Sequence, residues 1–342
     1  MRIAVDAMGG DLAPRAVVHG AVAAALEQDI SLLLVGPRAL LEAELAACPA
    51  ADRRRIAVLD APDVIAMDEP ASAIRRRPLA SVRVAAEAVA RGDALALFTA
   101  GHSGAAVLAA HHAFGVLDGI DRPALAATIP TREHVAVLVD AGASLTCRAE
   151  HLVVFARLGA AYAAAVLGIA RPRVGLLSNG EEAGKGTTLV REAHGLLAST
   201  ALRFVGNVDA SELFSGVADV IVCDGFTGNV VLKTSEGLVD TIDALMADEV
   251  ARTVTAQVGA VLTRGAVRRF KARLDYSEYG GAPLLGLRHV CVIGHGRSSP
   301  RAITRGVRLA ARFADEHLVT RLAQGLAAVD ASSVMPAGQT SR

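Results

Sequence analysis

The chain has no tryptophan, 3% aromatic residues and four cysteines, and its 35 basic residues equal its 35 acidic ones. Each scarcity narrows the field. A formal net charge of zero predicts no nucleic-acid partner, because binding a phosphate backbone needs a concentrated basic face. Cys48, Cys147, Cys223 and Cys291 are scattered without metal-ligand spacing, so no metal is expected. Cys223 and Cys291 sit in apolar strand runs, where a buried structural thiol is the expectation. The N-terminus starts directly on the strand pattern Arg2–Asp6 with no signal peptide, and no apolar run reaches membrane-spanning length uninterrupted. No internal repeat is present. These absences read as a reduced, cytoplasmic protein.

What is present is 342 residues, 52% of them hydrophobic, enough for a large core in one α/β domain over residues 1–330. Short apolar runs alternate with Ala-rich helical patterns, the signature of a parallel sheet covered on both faces. The runs predict strands at 2–6, 31–35, 56–59, 95–99, 124–129, 135–139, 173–178, 203–206, 219–223 and 289–293. Several end in a carboxylate: Asp6, Asp60, Asp140 and Asp224. Ligands in open α/β sheets bind beyond strand C-termini, so the shared ending predicts one functional edge. The ordinary role of each Asp is a helix cap or turn, preferred for Asp60.

Between about Leu238 and Asp275 the pattern is almost uninterrupted helix, a helical excursion placed near 238–278. Within it lie Arg264, Arg268, Arg269, Lys271 and Arg273, with Val267 and Phe270 interleaved. A solvated helix face is the first reading, and contact with an acidic protein or an anionic membrane surface is the second. Residues 331–342 lack periodicity and are expected to be a disordered tail.

The segment Asp219–Gly237 carries the most information. A buried strand stops at Asp224, Gly225 and Gly228 make a turn, and a helix begins near Thr227 and Asn229, with Lys233 beyond. Backbone N–H groups and the positive helix end then converge where an anion could bind. A second strand, Arg173–Ser178, leads into Asn179-Gly180-Glu181-Glu182-Ala183-Gly184-Lys185-Gly186. This fails the Walker A pattern, since three residues separate Gly180 from Gly184 and Gly186 follows Lys185, which disfavours a nucleotide triphosphatase. Lys185 can still bind a smaller anion as a point charge. Gly101-His102-Ser103-Gly104 fails the nucleophile-elbow pattern, with Ala105 where Gly is required. Asp6–Pro14, Asp140–Ser144, Tyr279–Gly286 and His295–Ser299 are further Gly turns. The Gly280-Gly281-Ala282-Pro283 run suggests close backbone approach to a ligand.

Taken together, Asp6–Pro14, Glu181–Gly186, Cys223–Gly237, Tyr279–Leu287 and His295–Ser299 resemble the bacterial phosphate acyltransferases of phospholipid synthesis, over Met1 to about Ala328. The resemblance implies a Rossmann-like α/β parallel-sheet sandwich of the phosphate acetyltransferase/isocitrate dehydrogenase-like type. It implies transfer of a long-chain acyl group from acyl-acyl carrier protein to inorganic phosphate, giving acyl phosphate, with no cofactor and no metal. It further implies a homodimer attached peripherally to the inner membrane face, and a membrane acyl phosphate:glycerol-3-phosphate acyltransferase as the consumer. This chain departs from the family at His102-Ser103 (usually Asn-Thr), at Ser144 (usually Asn) and at Arg297, inserted between Gly296 and Ser298.

Carried onto these residues, the resemblance makes Lys185 the cation and Asn229 the amide donor to the oxyanion. Gly180, Gly104 and Gly228, with the hydroxyls of Ser103 and Thr227, are the candidate phosphate cradle. His102 and His295 are candidate proton donors, His295 also lying in the phosphate-binding set. Asp224 either orients Lys185 or caps its own helix. The acidic carrier protein is matched to Arg264, Arg268, Arg269, Lys271 and Arg273. Competing readings are an enzyme using coenzyme A thioesters, a decarboxylating dehydrogenase (which needs an Asp cluster not seen here) and a catalytically silent membrane scaffold.

Overall fold

Runs such as Ile3-Ala4-Val5 and Leu32-Leu33-Leu34 are apolar on both sides of the pleat, so they must be covered twice. In the computed structural model, which describes residues 1–49, 51–274 and 280–334, they form the middle layer of a three-layer sandwich. All ten predicted strands form. They are β1 (Arg2–Asp6), β2 (Ser31–Gly36), β3 (Ile56–Asp60), β4 (Ala96–Thr99), β5 (Ala124–Pro130), β6 (Val135–Val139), β7 (Arg173–Ser178), β8 (Arg203–Asp209) and β9 (Val220–Val222), then β11 (Val290–Ile293). An eleventh, β10 (Ala282–Leu285), lies in the Gly-Gly-Ala-Pro run read as a ligand approach. The close approaches of Gly280 and Gly281 are instead to the backbones of Arg305 and Ile293.

The order across the sheet is β3-β2-β1-β4-β11-β10-β5-β6-β9-β7-β8. β3, β2, β1, β4 and β11 are mutually parallel, as are β6, β9, β7 and β8. Between the two sets, β10 pairs antiparallel with β11 and with β5, and β5 antiparallel with β6. Three reversals in a row leave the two parallel sets running in opposite senses. Their C-terminal ends therefore lie at opposite edges of the sheet, which corrects the expectation of a single functional edge.

One face is covered by α1 (Arg15–Glu27), α5 (Ala149–Leu167), α9 (Pro300–Asp315) and α10 (Leu318–Val334), packing Val17, Phe155, Val307 and Leu322 with Ile3, Val5 and Phe98. On the other face α3 (Ser81–Ala90) and α4 (Ser103–Phe114) bury Val89 and Ala106 against Ala4 and Leu97. The alternation of Ile3 and Val5 to one side and Ala4 to the other follows from the two-residue period of a strand. α2 (Arg38–Ala46) starts where Asp60 accepts a bond from Arg38 N at 2.8 Å, the turn-forming role preferred for that carboxylate. α6 (Thr188–Ala198) follows β7. Among the described residues, α5 alone is long and apolar enough to cross a bilayer by length and composition, though Glu150 and Arg157 interrupt its apolar run. Its Leu152, Phe155 and Leu158 are nevertheless fully committed to the core.

The helical excursion begins earlier than its sequence pattern suggests. α7 runs unbroken over Gly225–Ala251, 27 residues or about 40 Å, and α8 (Val254–Leu274) folds back after Arg252-Thr253. Only Val231 and Leu232 of α7 pack on the sheet. Further along, Leu238, Ile242, Leu245 and Met246 are exposed, as are Val258, Val261 and Leu262 of α8. Residues 275–279, including Tyr279, and most of the predicted tail (335–342) lie outside the described residues. Residues 331–334 belong to α10.

Candidate active site

β7 and β9 are adjacent and parallel, so the loop after one and the helix after the other emerge side by side. The β7 loop carries Lys185. Lys185 N donates to Glu182 O at 2.9 Å, closing a turn, and Gly180 lies beneath the aliphatic stem of Lys185. Asn207 anchors this turn from β8: its Nδ2 donates to Glu182 O at 2.8 Å, and its Oδ1 meets His194 Nδ1 of α6 at 3.0 Å. The Lys185 side chain is left exposed. Its charge adds to the Ser211 hydrogen bonds that hold the Asp209 carboxyl below its usual range.

Asp224 ends the β9 segment and caps α7. Its Oδ1 accepts from Thr227 N at 2.9 Å and its Oδ2 from Thr227 Oγ1 at 2.7 Å. Of the two roles considered for Asp224, the cap is the one its hydrogen bonds describe. The first turn of α7 is largely satisfied within the protein. Gly225 N donates to Ser144 O and Gly228 N to Asp224 O, each at 2.9 Å, so neither amide is free to cradle a phosphate. The glycines here serve close packing. A Cβ on Gly228 would stand 1.9 Å from Asp140 O, and one on Gly225 would stand 2.6 Å from Asp140 Oδ2. Asn229, the next residue, is exposed and borders Gly142.

The loop against this turn is organised by one buried carboxylate. Asp140 accepts from Leu125 N, Gly142 N, Ala143 N and Ser144 N at 2.9, 3.1, 2.9 and 2.6 Å. Burial pushes its pKa up to about 6, against the pull of those four donors. At neutral pH it is ionised and holds the loop closed around itself.

The remaining sequence candidates gather at the opposite edge. Asp6, buried at the end of β1, accepts from Thr99 Oγ1 at 2.8 Å, and Thr99 Oγ1 in turn accepts from Gly101 N at 3.1 Å. Burial raises the Asp6 carboxyl, opposed by hydrogen bonds from Ser81, Thr99 and Met8. His102 caps α4 by accepting from Ala105 N at Nδ1, and its Nε2 donates to Glu69 O at 2.9 Å. Both ring nitrogens are thus engaged within the protein. Ser103 is exposed, and Gly104 packs against Ala71 and the His102 ring. His295 follows β11 at this edge and contacts Lys233 and Glu236 of α7. The candidates therefore fall at two ends of the sheet, Lys185 and Asn229 after the adjacent strands β7 and β9, Ser103 and His295 after the adjacent strands β4 and β11, and α7 runs from Asn229 to the contacts with His295.

Arg264, Arg268, Arg269 and Lys271 are exposed on α8, with Arg273 on the same helix, and Lys271 Nζ is paired with Asp243 Oδ2 of α7 at 2.9 Å. Among the described residues no cluster of His, Cys, Asp and Glu could hold a metal ion. No cysteine near the site is poised as a nucleophile. Burial, with the charges of Asp140 and Asp224, pushes Cys147 up to about 11, and Cys223 is raised by the same causes. Lys233 was named from sequence only as lying just beyond the α7 turn, and Asn207 and Glu236 were not singled out. Lys233 carried a signal, since it falls at i+4 from Asn229 on a helix; Glu236 and Asn207 carried none.

Residues 1–321 match the family described as "Fatty acid synthesis protein". The chain is 48% identical over 313 residues to the "Phosphate acyltransferase" of Acidobacterium capsulatum, covering 91% of this chain and 93% of that one. It is 43% identical over 331 residues to the protein of the same name from Pelotomaculum thermopropionicum, covering 96% of each. In fold it is similar to a phosphotransacetylase from Streptococcus pyogenes, with a TM-score of 0.58, 18% identity and 96% and 94% coverage. It is also similar to the EutD phosphotransacetylase from Staphylococcus aureus, with a TM-score of 0.56, 15% identity and 92% and 94% coverage.

Proposed function

Because the chain belongs to the phosphate acyltransferase family, and so is an acyltransferase acting on phosphate, we propose that it moves a long-chain acyl group from acyl-acyl carrier protein to inorganic phosphate. The product is an acyl phosphate, for use in phospholipid synthesis. The observation that carries the proposal is that the loop bearing an exposed cation, Lys185, and the helix bearing an exposed amide, Asn229, follow adjacent parallel strands, β7 and β9.

A phosphate oxygen attacks the thioester carbonyl, the C–O bond forms, and a tetrahedral oxyanion develops. Its collapse breaks the C–S bond and releases the carrier's thiolate, which takes up a proton. Phosphate is itself the nucleophile, so no protein side chain needs to be acylated, in keeping with cysteines whose pKa values are raised. Lys185 offsets the charge of the phosphate, and Asn229 donates to the developing oxyanion. A thiolate leaves readily without an acid, in keeping with a His102 whose nitrogens are both engaged.

The wider reading assigns the exposed basic side chains of α8 to the acidic carrier protein or to an anionic membrane surface. It assigns the exposed stripe Leu238, Ile242, Leu245 and Met246 to a second copy of the chain, on a cytoplasmic enzyme bound peripherally to the inner membrane face. A membrane acyl phosphate:glycerol-3-phosphate acyltransferase is the expected consumer of the product.

The test is release of free carrier thiol from long-chain acyl-carrier protein with and without inorganic phosphate, with acyl phosphate trapped in parallel. Phosphate-dependent release with trapped product supports the reading. No release from folded protein overturns it and moves weight to coenzyme A thioesters or, if those also fail, to a non-catalytic role.

A further inference from the structure

α7 starts at the end of β9 and within two and a half turns reaches the residues that follow β11, at the other edge of the sheet. There Lys233, Glu236 and His295 meet. Lys233 Nζ donates to Glu236 Oε2 at 2.9 Å and also contacts His295 Nε2. His295 Nε2 stands 3.1 Å from the same carboxylate oxygen, and Arg297 N donates to His295 Nδ1 at 3.2 Å. The Arg297 bond makes Nδ1 the acceptor. Nε2 then carries the hydrogen and donates to Glu236, and the Lys233 ammonium, itself a donor only, touches Nε2 without a hydrogen bond to it.

Exposure separates the three. The Glu236 and His295 side chains are 17% and 22% exposed, and that of Lys233 is 53% exposed. Burial works against the Glu236 charge, but the bonds from His295 and Lys233 outweigh it and keep the carboxyl ionised. An ammonium has three donors, and one goes to Glu236. Lys233 also lies four residues from Asn229 on the same helix, hence one turn away on the same face. A salt bridge this open to water adds little to stability. Its effect is to fix where an ammonium sits.

We infer that Lys233 is a second substrate-binding cation, which holds a phosphate group one helical turn from Asn229, and that Glu236 and His295 are its positioning residues. The inference rests on the acyl-transfer reading given above. Two phosphate groups come with that chemistry: the inorganic nucleophile, and the phosphodiester on the thiol-bearing arm of the donor.

Initial rates with two donors separate them: acyl-carrier protein, and an acyl-N-acetylcysteamine thioester that has no phosphate. Lys233→Met is expected to raise a KM by about tenfold or more, the size of one lost charged hydrogen bond, with an unchanged melting temperature. If the inorganic phosphate is held, its KM rises with both donors. If the phosphodiester is held, only the KM of the carrier-linked donor rises. Lys233→Arg should recover most of the loss, and Glu236→Gln should move the same KM part of the way. Unchanged KM values for phosphate and both donors overturn the inference, whatever happens to kcat. Should the unmutated enzyme show no phosphate-dependent release, the acyl-transfer reading fails instead. Calorimetric titrations of inorganic phosphate and of the thiol-bearing carrier protein into the wild type and Lys233→Met then decide the cation alone, equal affinities for both ligands overturning it.

Discussion

Gly228→Ala and Gly237→Ala are the same chemical change on the same helix, and the structure assigns them opposite signs. At Gly228 an added Cβ would lie 1.9 Å from the backbone oxygen of Asp140, whereas ordinary contact begins near 3.4 Å, so about 1.5 Å must be opened. The obstacle is a carbonyl in a loop pinned by four hydrogen bonds to Asp140, not a side chain that can swing away. Overpacking of this kind costs about 3 kcal/mol, and the better helix propensity of Ala returns about 1. A net loss of about 2 kcal/mol follows, or roughly 3 °C in melting temperature for a chain of this size. Relief by displacing the first turn of α7 also moves Asn229, and a 1 Å misplacement near a reacting centre costs about a hundredfold in rate. At Gly237 nothing lies within 4 Å of the added atom, so Ala should stabilise by about 1 kcal/mol with activity intact. Denaturant melts and phosphate-dependent thiol release measure both. A Gly228→Ala enzyme with wild-type stability and rate would refute the packing of the 140–144 loop on α7.

Lys185→Ala and Asn229→Ala should each lower kcat/KM by about 10²–10³ in the thiol-release assay while leaving the melting temperature alone, because both side chains are exposed. A stability loss matching the rate loss would show that they act through folding. Asp219 is opposed by burial but held below its usual range by Arg173, which donates from N, Nε and Nη2 at 2.7, 3.1 and 2.8 Å. A depressed carboxylate contributes stability above its unfolded pKa near 4 and loses it as pH falls through the folded value. Asp219→Asn should therefore be less stable by about 1–2 kcal/mol at pH 7, with the gap closing in acid, and equal melts at pH 7 would contradict the pairing. Leu238→Glu with Leu245→Glu should halve the sedimenting mass, and an unmutated chain that sediments as a monomer would sink the self-association reading.

Much of this fold was legible because its strands are buried on both faces and so read as uninterrupted apolar runs. Ile3-Ala4-Val5, Leu32-Leu33-Leu34 and Val220-Ile221-Val222 left no alternative of comparable length. β10 was missed because Ala282-Pro283 follows two glycines, and a proline in so short a run argues for a loop. That omission had a large consequence. Hydrophobic pattern reports that a segment is a strand but not which way it runs, and β10 is one of the reversals that separate the two groups of site residues. The carboxylates at strand ends were visible, but their partners were not. Whether Asp224 caps a helix or Asp140 gathers four amides depends on chain segments that meet only in the folded state. Lys185 and Asn229 stood out because glycines mark their turns, whereas Glu236 looked like any charge on a helix.

The pairing of β4 with β11 also bears on how the chain is made. About 190 residues separate Thr99 from Val290, so β4 leaves the ribosome with one side covered by β1 and the other open until nearly the whole chain has followed. At synthesis rates of about 5–20 residues per second, that edge waits roughly 10–40 s for its partner. Through that interval the nascent chain presents Ala96-Leu97-Phe98-Thr99 as an unpaired, apolar ribbon. Chains translated side by side on one message would be most prone to pair wrongly there, and a chaperone that shields extended apolar segments would find its first hold at the same four residues.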